Sequence, residues 1–199
     1  MVDPYNPLDK VNLGKSVVEA LLLSPPTGLD TVQPFEGAGI YAIYYHGSFE
    51  PYGVISQSAI PTPIYVGKAV PSGARKGANL TVTASGKWLF NRIAEHRESI
   101  AAAQNLAVAD FSVRYLAVDD IWIPLGEALL ISTFNPIWNR LIDGFGNHDP
   151  GAGRYNGMRP LWDVLHPGRA WADRCKPRTE TREEIGRSII DYFARQTKA

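Results

Sequence analysis

Three tyrosines and a histidine crowd into "GIYAIYYHG" (39–47), and Tyr65 and Lys68 follow in "TPIYVGKA". Arg92 and His96 stand four apart in a stretch without Pro or Gly, so they share one face of a helix. Glu127 falls in a later apolar stretch, and Asn139 closes "NPIWN". A guanidinium offers an anion a planar fork and keeps its charge at any working pH. An imidazole takes or relays a proton near neutrality, and a carboxylate suits a hard cation. Taken singly, each has an ordinary reading: strand tyrosines pack, an Arg/His pair faces solvent, Gly39 and Gly67 serve turns or bulges, and Asn139 caps a turn. Together they have the parts needed to hold an anion and move a proton beside it.

These residues need elements to position them. After an extended arm of about ten residues, "NLGKSVVEALLLS" places Val17, Val18, Leu21 and Leu22 at helical spacing and stops at Pro25-Pro26. "PPTGLDTVQPFEGAG" reads as a loop. Strands are expected over 39–45 and 62–69, with the simplest pairing antiparallel. A helix is expected over 88–105, and a strand over 110–118 with Phe111, Val113 and Tyr115 on one side. Pro124 then opens "PLGEALLISTF", a short helix closed by Asn135-Pro136. The order helix, strand, strand, helix, strand, helix gives an α+β fold with a small mixed or antiparallel three-stranded sheet flanked by helices. Three regions are expected: arm and helix (1–36), core (37–140) with a basic insertion at 70–87, and a loop-rich extension (141–199) ending in the amphipathic "REEIGRSIIDYFARQ".

The 199 residues are 45% hydrophobic, enough for a real core and against a disordered tail. A single cysteine, Cys175, excludes an intrachain disulfide, no apolar run suggests a membrane span, and the N-terminus lacks signal-peptide features, so a cytoplasmic location is the default. Net charge is zero, but residues 64–115 carry 7 Lys/Arg against 3 Asp/Glu while residues 1–63 carry 2 against 6. A local basic face on a neutral protein fits phosphate binding. His148, Asp149 and His166 lack regular zinc-ligand spacing, so no zinc site is expected there.

The ordered set Gly39-Ile40-Tyr41, Tyr65-Val66-Gly67, Arg92, Glu127 and Asn139 resembles the GIY-YIG nuclease superfamily, over about half the chain. "GNHDPGAGR", "WDVLHPGRAWA", the Arg92/His96 pair and the N-terminal arm are similar to the type II restriction endonucleases of that superfamily that recognise CCGCGG. The resemblance implies a GIY-YIG-like fold, hydrolysis of double-stranded DNA, and one divalent ion, Mg2+, per active site. A palindromic target implies a homodimer, at least on DNA. Glu127 would be the metal ligand, with waters and a phosphate oxygen completing the shell. Arg92 would clamp the scissile phosphate, Tyr65 would bond phosphate or water, and Asn139 would position Glu127 or the extension. The base is Tyr41 or His96; Tyr41 needs its pKa lowered by Lys68, Arg92 and the metal. Because 46–61 is longer than in compact relatives, Tyr44 and Tyr45 remain alternatives to Tyr41. DNA contacts are expected from Arg75, Lys76 and Lys87 in the insertion and from Arg154, Arg159, Arg169 and Arg174 in the extension. The alternatives are a structure-selective or repair nuclease of the same superfamily, and a catalytically inactive DNA-binding domain.

Overall fold

A computed structural model describes residue 6 and residues 8–71, 86–151 and 153–196. The first helix, α1 (Lys10–Leu23), starts where the Asp9 side chain accepts from the Val11 N–H at 2.8 Å, satisfying an orphan donor of the first turn. It ends at Ser24, ahead of the two prolines. Strands β1 (Thr27–Gly28), β2 (Gly39–Tyr45), β3 (Tyr65–Ala69) and β4 (Phe111–Ala117) form one sheet in the order β1-β4-β2-β3. Every pairing is antiparallel, so the sheet has four strands rather than three and is not mixed. The extra strand lies in "PPTGLDT", read from sequence as loop; two residues are too few to show a period of two.

The link from β2 to β3 carries a short helix, α2 (Gly53–Ser56), and inserts Tyr52 and Ile55 into the core. Helices α3 (Trp88–Ala102), α4 (Ile123–Phe134) and α5 (Ile137–Arg140) follow, α4 with Pro124 in its first turn and a left-handed Asn135 (φ 44°) as its cap. The last sixty residues add α6 (Leu161–Leu165) and α7 (Arg182–Gln196).

All seven residues of β2 are buried. Strand alternation sends Ile40, Ala42 and Tyr44 to one face, where α1 and α4 cover them with Val18, Leu21, Ile123 and Leu130. Tyr41, Ile43 and Tyr45 go to the other face, into a larger core with Leu89, Ile93, Trp138 and Phe145. Trp162, Leu165, Ile185, Ile189 and Phe193 belong to that same core, so the last sixty residues share the interior of the first 140.

Candidate active site

Register brings the two tyrosine tripeptides together. Tyr41 pairs directly with Gly67 and Ile43 with Tyr65, so both phenols lie on one face of the sheet. A Cβ on Gly67 would collide with the Tyr41 hydroxyl, so the glycine of "YVG" is the space in which the Tyr41 ring lies. Gly39 is equally constrained, because a Cβ there would strike the Leu116 carbonyl on β4.

From α3, His96 reaches Tyr41: the hydroxyl and Nε2 are 2.6 Å apart, with Tyr41 0% and His96 1% exposed. Phe145 stacks on the His96 ring at 4.5 Å, and Tyr65 meets it edge-on at 5.1 Å. Burial raises the Tyr41 pKa well above the usual phenol range; the charge of Tyr65 adds to this, while Arg92 opposes it. Of the cations expected to lower this phenol, Arg92 does act on it, but desolvation outweighs Arg92. Burial, helped by Arg92, lowers the His96 pKa well below the ordinary imidazole value, so the ring is neutral near pH 7.

Arg92 is half-buried beside both phenols, and its charge and hydrogen bonding partly offset the burial of each. Its Nη1 donates to the Glu95 carboxylate at 2.9 Å and also contacts His148 Nε2, while its Nη2 donates to the Gly146 carbonyl at 2.9 Å. Glu127 of α4 comes from the opposite face, where alternation also points Lys68, and its carboxylate pairs with the Lys68 ammonium at 2.5 Å. The two halves are close enough for the Glu127 charge to raise both phenols. Tyr44 and Tyr45 lie elsewhere, beside Arg114 and against Tyr52 and Phe111 respectively.

Asn139 is not directed at Glu127. Its Oδ1 accepts from the Val66 N–H and its Nδ2 donates to the Val66 carbonyl, both at 2.8 Å, filling both backbone valences of Val66 on the outer edge of the sheet. Of the two roles expected of it, positioning Glu127 is corrected: its side chain holds the strand that carries Tyr65, Gly67 and Lys68.

Of the residues expected to meet DNA, Arg75 and Lys76 lie outside the described residues. Lys87 is exposed at the start of α3. Arg154 is exposed and lines a cleft of about 360 Å³ with His148, Met158 and Trp171. Arg174 is exposed but pairs with Asp149 at 2.8 Å and covers the Tyr155 ring. Arg159 is tied to the Ala172 carbonyl at 3.1 Å and to Asp173 at 3.2 Å. Arg169 corrects the expectation outright, being 5% exposed with all five donors engaged. Two reach the Asp163 carboxylate at 2.7 and 2.6 Å, and three reach the Gly144, Phe145 and Asn147 carbonyls. Trp162 and Trp171 lie against its guanidinium.

Sequence reasoning missed Glu95, Gly146 and His148 as neighbours of Arg92. Glu95 was legible as the residue three places after Arg92 on the helix. Gly146 and His148 belong to the "GNHDPGAGR" stretch, but tertiary folding brings them to Arg92 and no local signal marks that contact. A second phenol–imidazole pair was also missed: Tyr52 and His166 Nε2 are 2.6 Å apart and both fully buried.

Glu127 suits one hard cation as a carboxylate donor whose one ion-pair partner among the described residues, Lys68, is itself exposed. No group of three or more His, Cys, Asp or Glu that could hold a metal occurs among the described residues, so most of a shell would come from water and phosphate. No helix among them is long and apolar enough to cross a membrane.

A family model described as the Eco29kI GIY-YIG domain matches residues 33–193. No curated protein matches the chain.

Proposed function

The chain belongs to the Eco29kI GIY-YIG domain family, whose members are type II restriction endonucleases, and on that premise we propose that it cuts double-stranded DNA at the palindrome CCGCGG as a homodimer with one Mg2+ per active site. The observation that supports the chemistry is the buried 2.6 Å hydrogen bond between Tyr41 and His96 beside the Arg92 guanidinium.

His96 is neutral, so its Nε2 lone pair accepts the Tyr41 proton and leaves lone pairs on the phenol oxygen for an attacking water. Tyr41 is no standing phenolate, because burial holds its proton on. The two act in series: as the water proton arrives on the Tyr41 oxygen, the phenolic proton passes to His96 Nε2. The scissile phosphate brings negative charge into this site, which makes the imidazole more basic when it must accept. Arg92 neutralises charge on the pentavalent phosphorus, and the exposed Glu95 bond is a weak one for phosphate to replace. Glu127 would hold the divalent ion, whose chemistry there would be to stabilise charge on the departing 3′ oxygen. Lys68, the exposed partner of Glu127, would then be free to offer the phosphate a second cation.

A palindrome requires two copies of the site related by the DNA dyad. Guanine O6 and N7 call for Arg or Lys, and Arg75, Lys76, Lys87, Arg154 and Arg174 are the candidates. Digestion of a plasmid of known sequence with purified protein and Mg2+, followed by end-mapping, tests the reading. Discrete fragments ending at CCGCGG are expected. Discrete ends at another sequence would overturn the specificity, and intact plasmid would overturn the activity.

A further inference from the structure

We propose that His148 is a positioning residue for cleavage, fixing the orientation of the Arg92 fork from the C-terminal side of the molecule. The proposal rests on Arg92 being the phosphate clamp. Arg92 has five N–H donors in a rigid plane, and its neighbours decide which of them face a phosphate. The Gly146 carbonyl takes one on Nη2, and His148 Nε2 meets one on Nη1. With one contact from this loop on each terminal nitrogen, the plane of the guanidinium is set about its own axis.

The third partner, Glu95, differs in kind. Its carboxylate is an exposed, charged competitor on the same helix and uses the Nη1 that His148 also touches. Phosphate exchanges favourably with such a carboxylate, since one anion replaces another. Because Arg92 can only donate, His148 Nε2 accepts in this contact; it occupies a single N–H and leaves the remainder for the anion.

The loop bearing Gly146 and His148 is built to hold its shape. Buried Arg169, paired with Asp163, donates to the carbonyls of Gly144, Phe145 and Asn147. Just beyond, Asp149 accepts from the Gly151 N–H at 2.8 Å and the Tyr155 hydroxyl at 2.6 Å, and pairs with Arg174. His148 is therefore exposed (59% of its side chain) but stands on anchored backbone.

The test is single-turnover cleavage of a CCGCGG duplex, with affinity for the same duplex measured in EDTA. His148→Ala should slow cleavage about 10- to 100-fold, the effect of a misaligned catalytic group, while affinity changes less than about two-fold. His148→Gln, whose side-chain oxygen can accept from Arg92, should recover most of the rate, and it carries the test if the alanine variant melts early. The double variant Arg92→Ala/His148→Ala should be no slower than Arg92→Ala, because His148 acts through Arg92. A wild-type rate for His148→Ala would overturn the proposal, as would a loss of affinity in proportion to the loss of rate, which marks a DNA contact. A wild-type rate for Arg92→Ala would instead overturn the reading of Arg92, and this proposal with it.

Discussion

Tyr41 and Tyr52 each place a hydroxyl 2.6 Å from a buried imidazole nitrogen, and their surroundings separate their roles. The Tyr52 bond has its direction imposed: Trp138 Nε1 can only donate, so Tyr52 accepts at 2.7 Å and donates to His166 Nε2. His166 Nδ1–H then donates to Asn105 Oδ1 at 3.0 Å, and Asn105 Nδ2 donates to the Leu165 carbonyl. That chain ends on backbone inside the core, whereas Tyr41 adjoins Arg92. Tyr41→Phe and Tyr52→Phe should each cost about 1–3 kcal/mol of stability, through buried polar groups left unpaired. Only Tyr41→Phe should lose cleavage, by about 10²–10⁴-fold; urea denaturation and single-turnover assays of both variants check this. Stability should also depend on pH through the two histidines. Burial lowers the His166 pKa to about 3 and moves His96 in the same direction, so both bind protons more readily when unfolded. Their contribution is complete above about pH 6.5, the unfolded imidazole value, and is lost progressively as pH falls toward the folded values. Urea denaturation at pH 7.5 and 5.5 should show the loss, at up to about 1.4 kcal/mol per pH unit for each histidine. The i,i+4 spacing made the shared face of Arg92 and His96 legible, and the resemblance to the GIY-YIG superfamily, not any local rule, joined Tyr41 to them. The second pair joins positions 52 and 166, which no local period connects.

At the scale of elements, β3 is the strand most dependent on borrowed support. It lies at the end of the sheet, and the bonds to Val66 on its outer side come from a side chain. Asn139→Ala should therefore leave Val66 without both partners, cost about 1–3 kcal/mol, and slow cleavage more than DNA binding, because Tyr65, Gly67 and Lys68 share that strand. Equal rates for the variant and wild type would sever the link between strand and site. The strands at 39–45 and 111–117 and the helices at 88–102 and 182–196 follow from hydrophobic period, from Gly and Pro stops, or from uninterrupted helix formers. β1 does not, since its partner β4 defines it more than its own two residues do. The full burial of β2 was hidden for a similar reason: tyrosines fit a half-exposed strand equally well, and only the arrival of helices on both faces settles the matter.

For the whole molecule, Arg169 matters more than its local sequence suggests. An arginine in a Gly- and Pro-rich stretch reads as exposed, because charges are seldom buried without a partner, and nothing nearby shows that three carbonyls will converge on it. Arg169→Met should leave Asp163 as an uncompensated buried charge and cost about 3–5 kcal/mol. Adding Asp163→Leu should restore much of that loss while leaving cleavage impaired, because the loop carrying Gly146 and His148 has lost its tether. Recovery of full activity along with stability would show that the loop keeps its shape unaided. The sheet's two ends carry a separate consequence. One ends in a strand of two residues; on the other, Asn139 and the Trp138 N–H take up the outward bonds of Val66 and Ile64. At the β3 end these contacts leave another chain a shorter bare ladder to pair with, which guards against edge-to-edge aggregation during synthesis in a crowded cell.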